Sequence, residues 1–547
     1  MNRRLISVII SACLGTASLS ASPSRWVPQR ERKATSATQS AVAPPAQEAS
    51  PSPTPTPAPT PAPERTASTT RTLAELQTRI VEILHKPEFA PAIVAVKVAS
   101  LDTGRVLFEE NAHKLVRPAS NMKLYTVATA LDRLTPDFRF STSAYARSKP
   151  DQDGTLRGDL TIYGRGDPSL AARFNNGDYL KGIDDLATKI ANSGLKRVEG
   201  DLIGDETYFT GPPYGSGWEW EDLTWYYGAE VSSLTVNDNA LDLFIKPGAQ
   251  VGAPALITTG PSIPYLTIVN HVTTAAKGTR RSLTIYRPLA VNTLEVSGTI
   301  ALDDRGYTGG VGVARPGLMF MNMLRAALQQ HGVKIKGQTR TITDRATAGT
   351  VSDANELARL MSPPFSVVAA NTLKPSQNLY TEIILRTLGE IVPSPPTATP
   401  AVRNSEDAGL EVVKVFLREA GVNPDTVVLS DGSGLSRNDM ISVDSNVQLL
   451  TYMSRHKYFA TWKDALPIAG VDGTLRNRMR GTVAENNLRA KTGSLASASS
   501  LSGYVTSAAG ENLVFSIIVN NYPSDAEPRT NCIDPIALLL ASFAGHS

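Results

Sequence analysis

The spacing of apolar and polar positions changes character several times along the chain. "TLAELQTRIVEILHK", starting at Thr72, repeats Leu73, Leu76, Ile80 and Ile83 or Leu84 at helical intervals and predicts an amphipathic helix. "AIVAVKVASLDTGRVLFEEN" predicts two strands joined by a hairpin at Asp102, Thr103 and Gly104. After Pro118, "SNMKLYTVATALDRL" suits a helix and places Ser120 at or just before its first turn. From about Phe138 to Thr350 the runs are short and alternating, as in "LRGDLTIYGRG" and "RSLTIYRPLAVNTLEVSG", and are divided by Gly, Pro and Asp. This stretch reads as one or more β-rich inserted domains, with "GLMFMNMLRAALQQHG" as its clearest helix. After Asn355 helical spacing returns in "ANELARLMS", "QNLYTEIILRTLGEI" and "EDAGLEVVKVFLREAG". "LSGYVTS" and "LVFSIIVNNY" predict two buried antiparallel strands around a turn at residues 509–512, and "DPIALLLASFAG" predicts a closing helix.

The first residues follow a different logic. Arg3 and Arg4 precede a short apolar stretch and then small residues, the pattern of a secretory signal cleaved near Ala21. "ISAC" also resembles a lipidation box, which would make Cys13 a lipid anchor. Residues 41–70 are rich in Pro, Ala and Thr and cannot bury enough apolar area to fold, so they predict an extended spacer. The resulting division is a signal at 1–21, a linker at 22–71, a body at 72–137 plus 351–547, and an insertion at 138–350. With Cys13 removed, Cys532 stands alone and no internal disulfide forms. A formal charge of +3 over 547 residues, with no long basic run, gives no argument for nucleic acid.

The candidate chemistry is nucleophilic. There is no Gly-x-Ser-x-Gly elbow, and the six histidines contain no helical metal-ligand pair, so neither a metal nor a cofactor is implied. What remains is a serine activated by lysine. Ser120 and Lys123 share a helix face, and a buried lysine beside a second cation can shed its proton and act as a base. The tetrad alone is weak: Ser193…Lys196 and Ser454…Lys457 match it too, and so does any surface pair at a helix start. Lys491-Thr492-Gly493 occurs once, just ahead of the terminal strand pair. Lys491 can be the second cation and, with Thr492, can hold a substrate carboxylate. Gly493 permits close passage of substrate, and the amide of Ser494 with that of Ser120 can form an oxyanion hole. For a proton-relaying Ser-x-Asn there are two candidates, Ser376 with Asn378 and Ser436 with Asn438, which residue type alone does not separate.

Ser-x-x-Lys, Ser-x-Asn and Lys-Thr-Gly in this order are the signatures of β-lactamases and penicillin-binding proteins. Six ordered blocks narrow the resemblance: "RPASNMKLYTVATAL", "LRGDLTIYGRGDPSL", "GDETYF", "DGSGLSR", "LPIAGVDGTLRNRMRG" and "LRAKTGSLASASSLSGYVTSAAGENLVFSIIVNN". From about Thr72 onward the chain resembles the D-alanyl-D-alanine carboxypeptidase/endopeptidase family, the class C low-molecular-mass penicillin-binding proteins. The resemblance implies an α+β transpeptidase-like fold, an antiparallel sheet flanked by helices, with inserted β-rich domains. It implies Ser120 as nucleophile, Lys123 as base, Ser376 and Asn378 completing the proton path, and Lys491 and Thr492 on the terminal carboxylate. Asp205, Phe209 and Arg437 are implied, by the same likeness, to read a diaminopimelate side chain. The implied activity is cleavage of D-Ala-D-Ala or D-Ala-diaminopimelate bonds in peptidoglycan stem peptides outside the cytoplasm, in the periplasm or envelope, with β-lactams as covalent inhibitors. A β-lactamase and a catalytically inactive wall-binding scaffold are the alternatives.

Overall fold

The computed structural model describes residues 70–345, 354–393 and 404–547. The predicted signal at 1–21, with Cys13, and nearly all of the predicted linker lie outside the described residues. Among those described, no helix is long and apolar enough to cross a membrane. Cys532 is a buried free thiol.

The body is built on a five-stranded antiparallel sheet in the order Arg489–Leu495, Ala498–Thr506, Asn512–Asn520, Ile93–Ser100, Val106–Glu110. Ile93–Ser100 lies along the whole of Asn512–Asn520, with Ile93 opposite Asn520 and Ser100 opposite Leu513. Strand alternation sends their side chains into two separate cores. Val94, Val96, Val98, Phe515, Ile517 and Val519 pack with the first helix, Leu73–Leu84, and the last, Asp534–Ser542. Ala95, Ala99, Val514 and Ile518 face the helices Met122–Leu134, Asn378–Ile391, Ser405–Glu419 and Val443–Ser454. Both faces are covered, which is why these strands read as continuous apolar runs. The first helix starts at Thr72, whose hydroxyl accepts the Glu75 amide at 3.2 Å.

The long segment between Leu134 and Phe365 forms a second five-stranded sheet in the order Thr339–Ile342, Leu202–Asp205, Leu160–Gly164, Ser141–Ala146, Asn355–Met361. The first three strands are parallel and the last two pair antiparallel. Helices Lys181–Ala191 and Pro316–Gln330 pack on it around Ile162, Leu186, Leu202 and Phe320. Two three-stranded sheets drawn from residues 240–312 enclose a smaller core of Leu243, Ile245, Leu294 and Val296.

One expected helix is a strand. "ANELARLMS" forms Asn355–Met361, paired with Ser141–Ala146 from Asn355 opposite Ala146 to Met361 opposite Ser141. A short run with three apolar positions fits either period, and the unpaired edge of Ser141–Ala146 decides between them. The inserted sheet therefore continues past residue 350, the boundary read from the pattern, to residue 361.

Candidate active site

Ser120 sits in a single 3-10 turn, Ala119–Asn121, that leads into the helix Met122–Leu134. Ala119 adopts φ +48°, a left-handed conformation that costs an alanine about 1–2 kcal/mol. Two glycines make room for this turn. A Cβ on Gly434 would lie 1.9 Å from the Ala119 carbonyl oxygen, and one on Gly493 would lie 2.7 Å from the Pro118 carbonyl. Gly493 thus admits the protein's own Ser120 turn onto the edge strand Arg489–Leu495. The Asn121 side-chain amide fastens the turn by donating to Ser500 Oγ at 2.7 Å and to the Lys491 carbonyl at 3.1 Å. Ser500 Oγ donates onward to the Pro118 carbonyl at 2.8 Å.

Lys123 is fully buried, and its Nζ lies 2.9 Å from Ser120 Oγ. Nζ also donates to Asn378 Oδ1 at 2.6 Å and to the Ser433 carbonyl at 2.7 Å. Asn378 Nδ2 donates to the Tyr227 carbonyl at 2.9 Å, which fixes its oxygen toward the lysine. A neutral amine has two hydrogens. Asn378 and Ser433 take both, so the lone pair is left for the Ser120 hydroxyl. Burial lowers the Lys123 pKa to about 7, against the opposing pull of nearby acids, Asp431 first.

Lys491 is equally buried. Its Nζ donates to Ser376 Oγ and to the Thr492 carbonyl, both at 2.8 Å. Burial, then the nearby Lys123, holds its pKa well below the ordinary lysine range. Ser376 is not the cap of its helix: Gln377 is, accepting the Leu379 amide at 3.2 Å. Ser376 instead takes φ +65°, which leaves its hydroxyl free to meet Lys491. Thr492 Oγ1 donates to Thr474 Oγ1 at 2.7 Å.

The Ala490 amide donates to the Pro467 carbonyl, away from the neighbouring strand. Strand alternation puts the amides of Thr492 and Ser494 on that same outer edge. The Ser494 N–H therefore faces the side on which the predicted oxyanion hole would lie.

The geometry separates the two Ser-x-Asn candidates. Ser376 and Asn378 bond to Lys491 and Lys123. Ser436 and Asn438 instead pack on Gly217, where a Cβ would come within 2.4 Å of Ser436 Oγ and 2.7 Å of Asn438 Nδ2.

Two of the implied substrate readers are buried and make structural contacts. Asp205 is buried at a strand end, where Oδ1 accepts the Thr207 amide at 2.9 Å. Phe209 belongs to the body's core and packs over Gly166 beside Ile383. Both hold the fold because they close a turn and fill a core. Arg437 does carry acids beside it: its guanidinium lies 2.9 Å from Glu219 and 3.5 Å from Asp222. Glu219, Asp222, Thr474, Asn121 and the carbonyls of Tyr227 and Ser433 carry no local sequence signal. The backbone acceptors in particular are invisible to residue type.

The description "D-Ala-D-Ala carboxypeptidase 3 (S13) family" matches residues 76–543. The chain belongs to this family. A D-alanyl-D-alanine carboxypeptidase of Actinomadura sp. (strain R39) is 35% identical over 488 residues, spanning 87% of this chain and 86% of the relative. The crystal structure of penicillin binding protein 4 (dacB) from Haemophilus influenzae superposes with a TM-score of 0.72 at 22% identity, covering 85% of this chain and 99% of that one. The same protein complexed with a β-lactam gives a TM-score of 0.65 at 20% identity, covering 84% and 97%. The fold is accordingly the α+β arrangement of penicillin binding protein 4.

Proposed function

We propose that the chain is a serine-type D-Ala-D-Ala carboxypeptidase, with endopeptidase action on D-Ala-diaminopimelate cross-links, acting on peptidoglycan stem peptides. The carrying observation is the buried Lys123 amine, 2.9 Å from Ser120 Oγ, with Asn378 Oδ1 and the Ser433 carbonyl placed to accept both hydrogens of its neutral form. Ser120 Oγ attacks the carbonyl of the penultimate D-Ala, and its proton passes to Lys123 Nζ. The resulting oxyanion is held by the amides of Ser120 and Ser494. When the C–N bond breaks, the leaving amine takes a proton through the Ser376 hydroxyl, which is resupplied from the lysine side. Water then attacks the acyl-Ser120 ester, gives its proton to Lys123, and Ser120 regains its hydrogen as the acid leaves. Lys491 and Thr492 receive the terminal carboxylate, and an arriving anion draws a proton onto Lys491. Arg437 and Asp222 offer opposite charges to a side chain that ends, like diaminopimelate, in both an ammonium and a carboxylate.

A β-lactam presents a strained amide and a carboxylate to the same groups, and we read it as a covalent inhibitor. The substrate and the N-terminal pattern together favour an exported, envelope-located protein. A labelled penicillin should mark the wild type and not Ser120→Ala, and digestion of peptidoglycan followed by mass spectrometry should show loss of terminal D-Ala or opened cross-links. Labelling that survives the substitution overturns the nucleophile. Rapid penicillin turnover with intact D-Ala-D-Ala peptide would make the chain a β-lactamase.

A further inference from the structure

Behind Lys123 lies a group of buried acids that the steps above do not use. Glu382 projects from the helix Asn378–Ile391, Glu406 from Ser405–Glu419, and Asp431 and Asp439 from the loop before Met440. All four are buried, with Arg386 among them 3.7 Å from Glu406. Hydrogen-bond donors are shared unequally. Asp431 accepts the amides of Ser433, Gly434, Leu435 and Ser436, the Ser433 hydroxyl and Trp218 Nε1. Glu382 accepts the Gly432 amide at 3.0 Å on Oε1 and competes with Asp431 for the Ser433 hydroxyl, while Oε2 has no well-formed hydrogen bond. A wholly buried carboxylate with so few donors, next to an acid that holds six, is disfavoured as an anion even with Arg386 nearby. Burial, reinforced by Asp431, pushes this carboxyl well above its ordinary range.

The bond that Glu382 accepts from the Gly432 amide is well placed. Gly432 is also held from its carbonyl side, by Thr126 Oγ1 at 2.8 Å, on the same helix as Lys123. The next carbonyl along, that of Ser433, is the one Lys123 donates to.

We propose that Glu382 is a positioning residue for acylation: as a neutral carboxylic acid it anchors the turn at Gly432, sets the Ser433 carbonyl on Lys123, and adds no negative charge behind the base. This rests on the reading of Lys123 as base. The charged and titratable groups facing Lys123 are Glu382 from its helix, Asp431 and Asp439 from the loop, and Lys491 from the edge strand. Arg386, Glu406 and Asp431 face Glu382. An ionised Glu382 would hold a proton on Lys123 and move activity to higher pH. A neutral one leaves the base available.

The test is the rate of acylation by a fluorescent penicillin from pH 5 to 9 for wild type, Glu382→Gln and Glu382→Leu. Glutamine keeps the Oε1 acceptor and the neutral charge, so its acid limb should stay where the wild type's lies. Leucine leaves the Gly432 N–H unpaired, so its rate should fall about tenfold or more across the range, with glutamine recovering most of that loss. The proposal is overturned if the acid limb of Glu382→Gln drops by about one pH unit or more, which would mean that an anion had been removed, or if Glu382→Leu acylates like wild type. Should Glu382→Leu fail to fold by circular dichroism, the Glu382→Gln profile decides. A wild type that no penicillin labels would instead refute the Ser120–Lys123 reading beneath it.

Discussion

Asn378 and Lys123 are locked together by an amide that is itself held from behind: Oδ1 accepts from Nζ at 2.6 Å while Nδ2 is tied to the Tyr227 carbonyl. Asn378→Ala removes one of the two acceptors that orient the base. Acylation should fall about 10²-fold, the low end of what a positioned general base supplies. Asn378→Asp puts an anion on Nζ and should raise the lysine's pKa, so its rate should recover as pH is raised toward 9. Stopped-flow labelling across pH distinguishes the two variants.

Lys123 must be unprotonated to take the Ser120 proton. Its pKa, lowered to about 7 by burial, places the neutral form above that pH and the inactive ammonium below it. Acylation should therefore rise with pH through a midpoint near neutrality. A profile flat from pH 5 to 9 would contradict the assignment.

Gly434 and Gly104 offer a matched comparison. Both have positive φ, +78° and +76°, so Ala at either bears the left-handed cost of about 1–2 kcal/mol. Only Gly434 also faces a backbone oxygen, at 1.9 Å, whereas nothing lies within 4 Å of a Cβ on Gly104. Gly434→Ala should lower the melting temperature more and lose penicillin labelling as the Ser120 turn is displaced. Gly104→Ala should lose only the smaller stability increment.

Arg437 and Asp205 should separate by what they perturb. Arg437→Ala should raise KM by about tenfold for a peptide bearing diaminopimelate, with little change for one bearing a neutral side chain. Asp205→Ala leaves the Thr207 amide without its acceptor and should lower the melting temperature with KM unchanged. Steady-state kinetics with the two peptides, beside melting curves, test both statements.

The parts of this molecule legible in its sequence are those where local pattern and tertiary demand coincide. Helix Met122–Leu134, the hairpin before Glu110 and the last two strands carry unambiguous periods or turn residues, and each forms close to where it was read. Residues 355–361 failed because their spacing was ambiguous and a distant strand edge chose for them. At the site, side chains with chemistry of their own, Ser120, Lys123 and Lys491, were visible as motifs. The Ser433 and Tyr227 carbonyls were not, since every residue has a carbonyl and only the fold says which one matters. For Asp205 the letter does not decide, because an acid that closes a turn looks the same in sequence as one that reads a ligand.

The central pairing of Ile93–Ser100 with Asn512–Asn520 also has a consequence in time. Ser120 is made early and Lys491 late, and the strand that completes the middle of the sheet is made later still. No arrangement in which Lys491 meets Ser376 is supported until synthesis has passed Asn520. A nascent chain that carries Ser120 but not yet the strand Asn512–Asn520 therefore holds the serine without the support that brings Lys491 to Ser376.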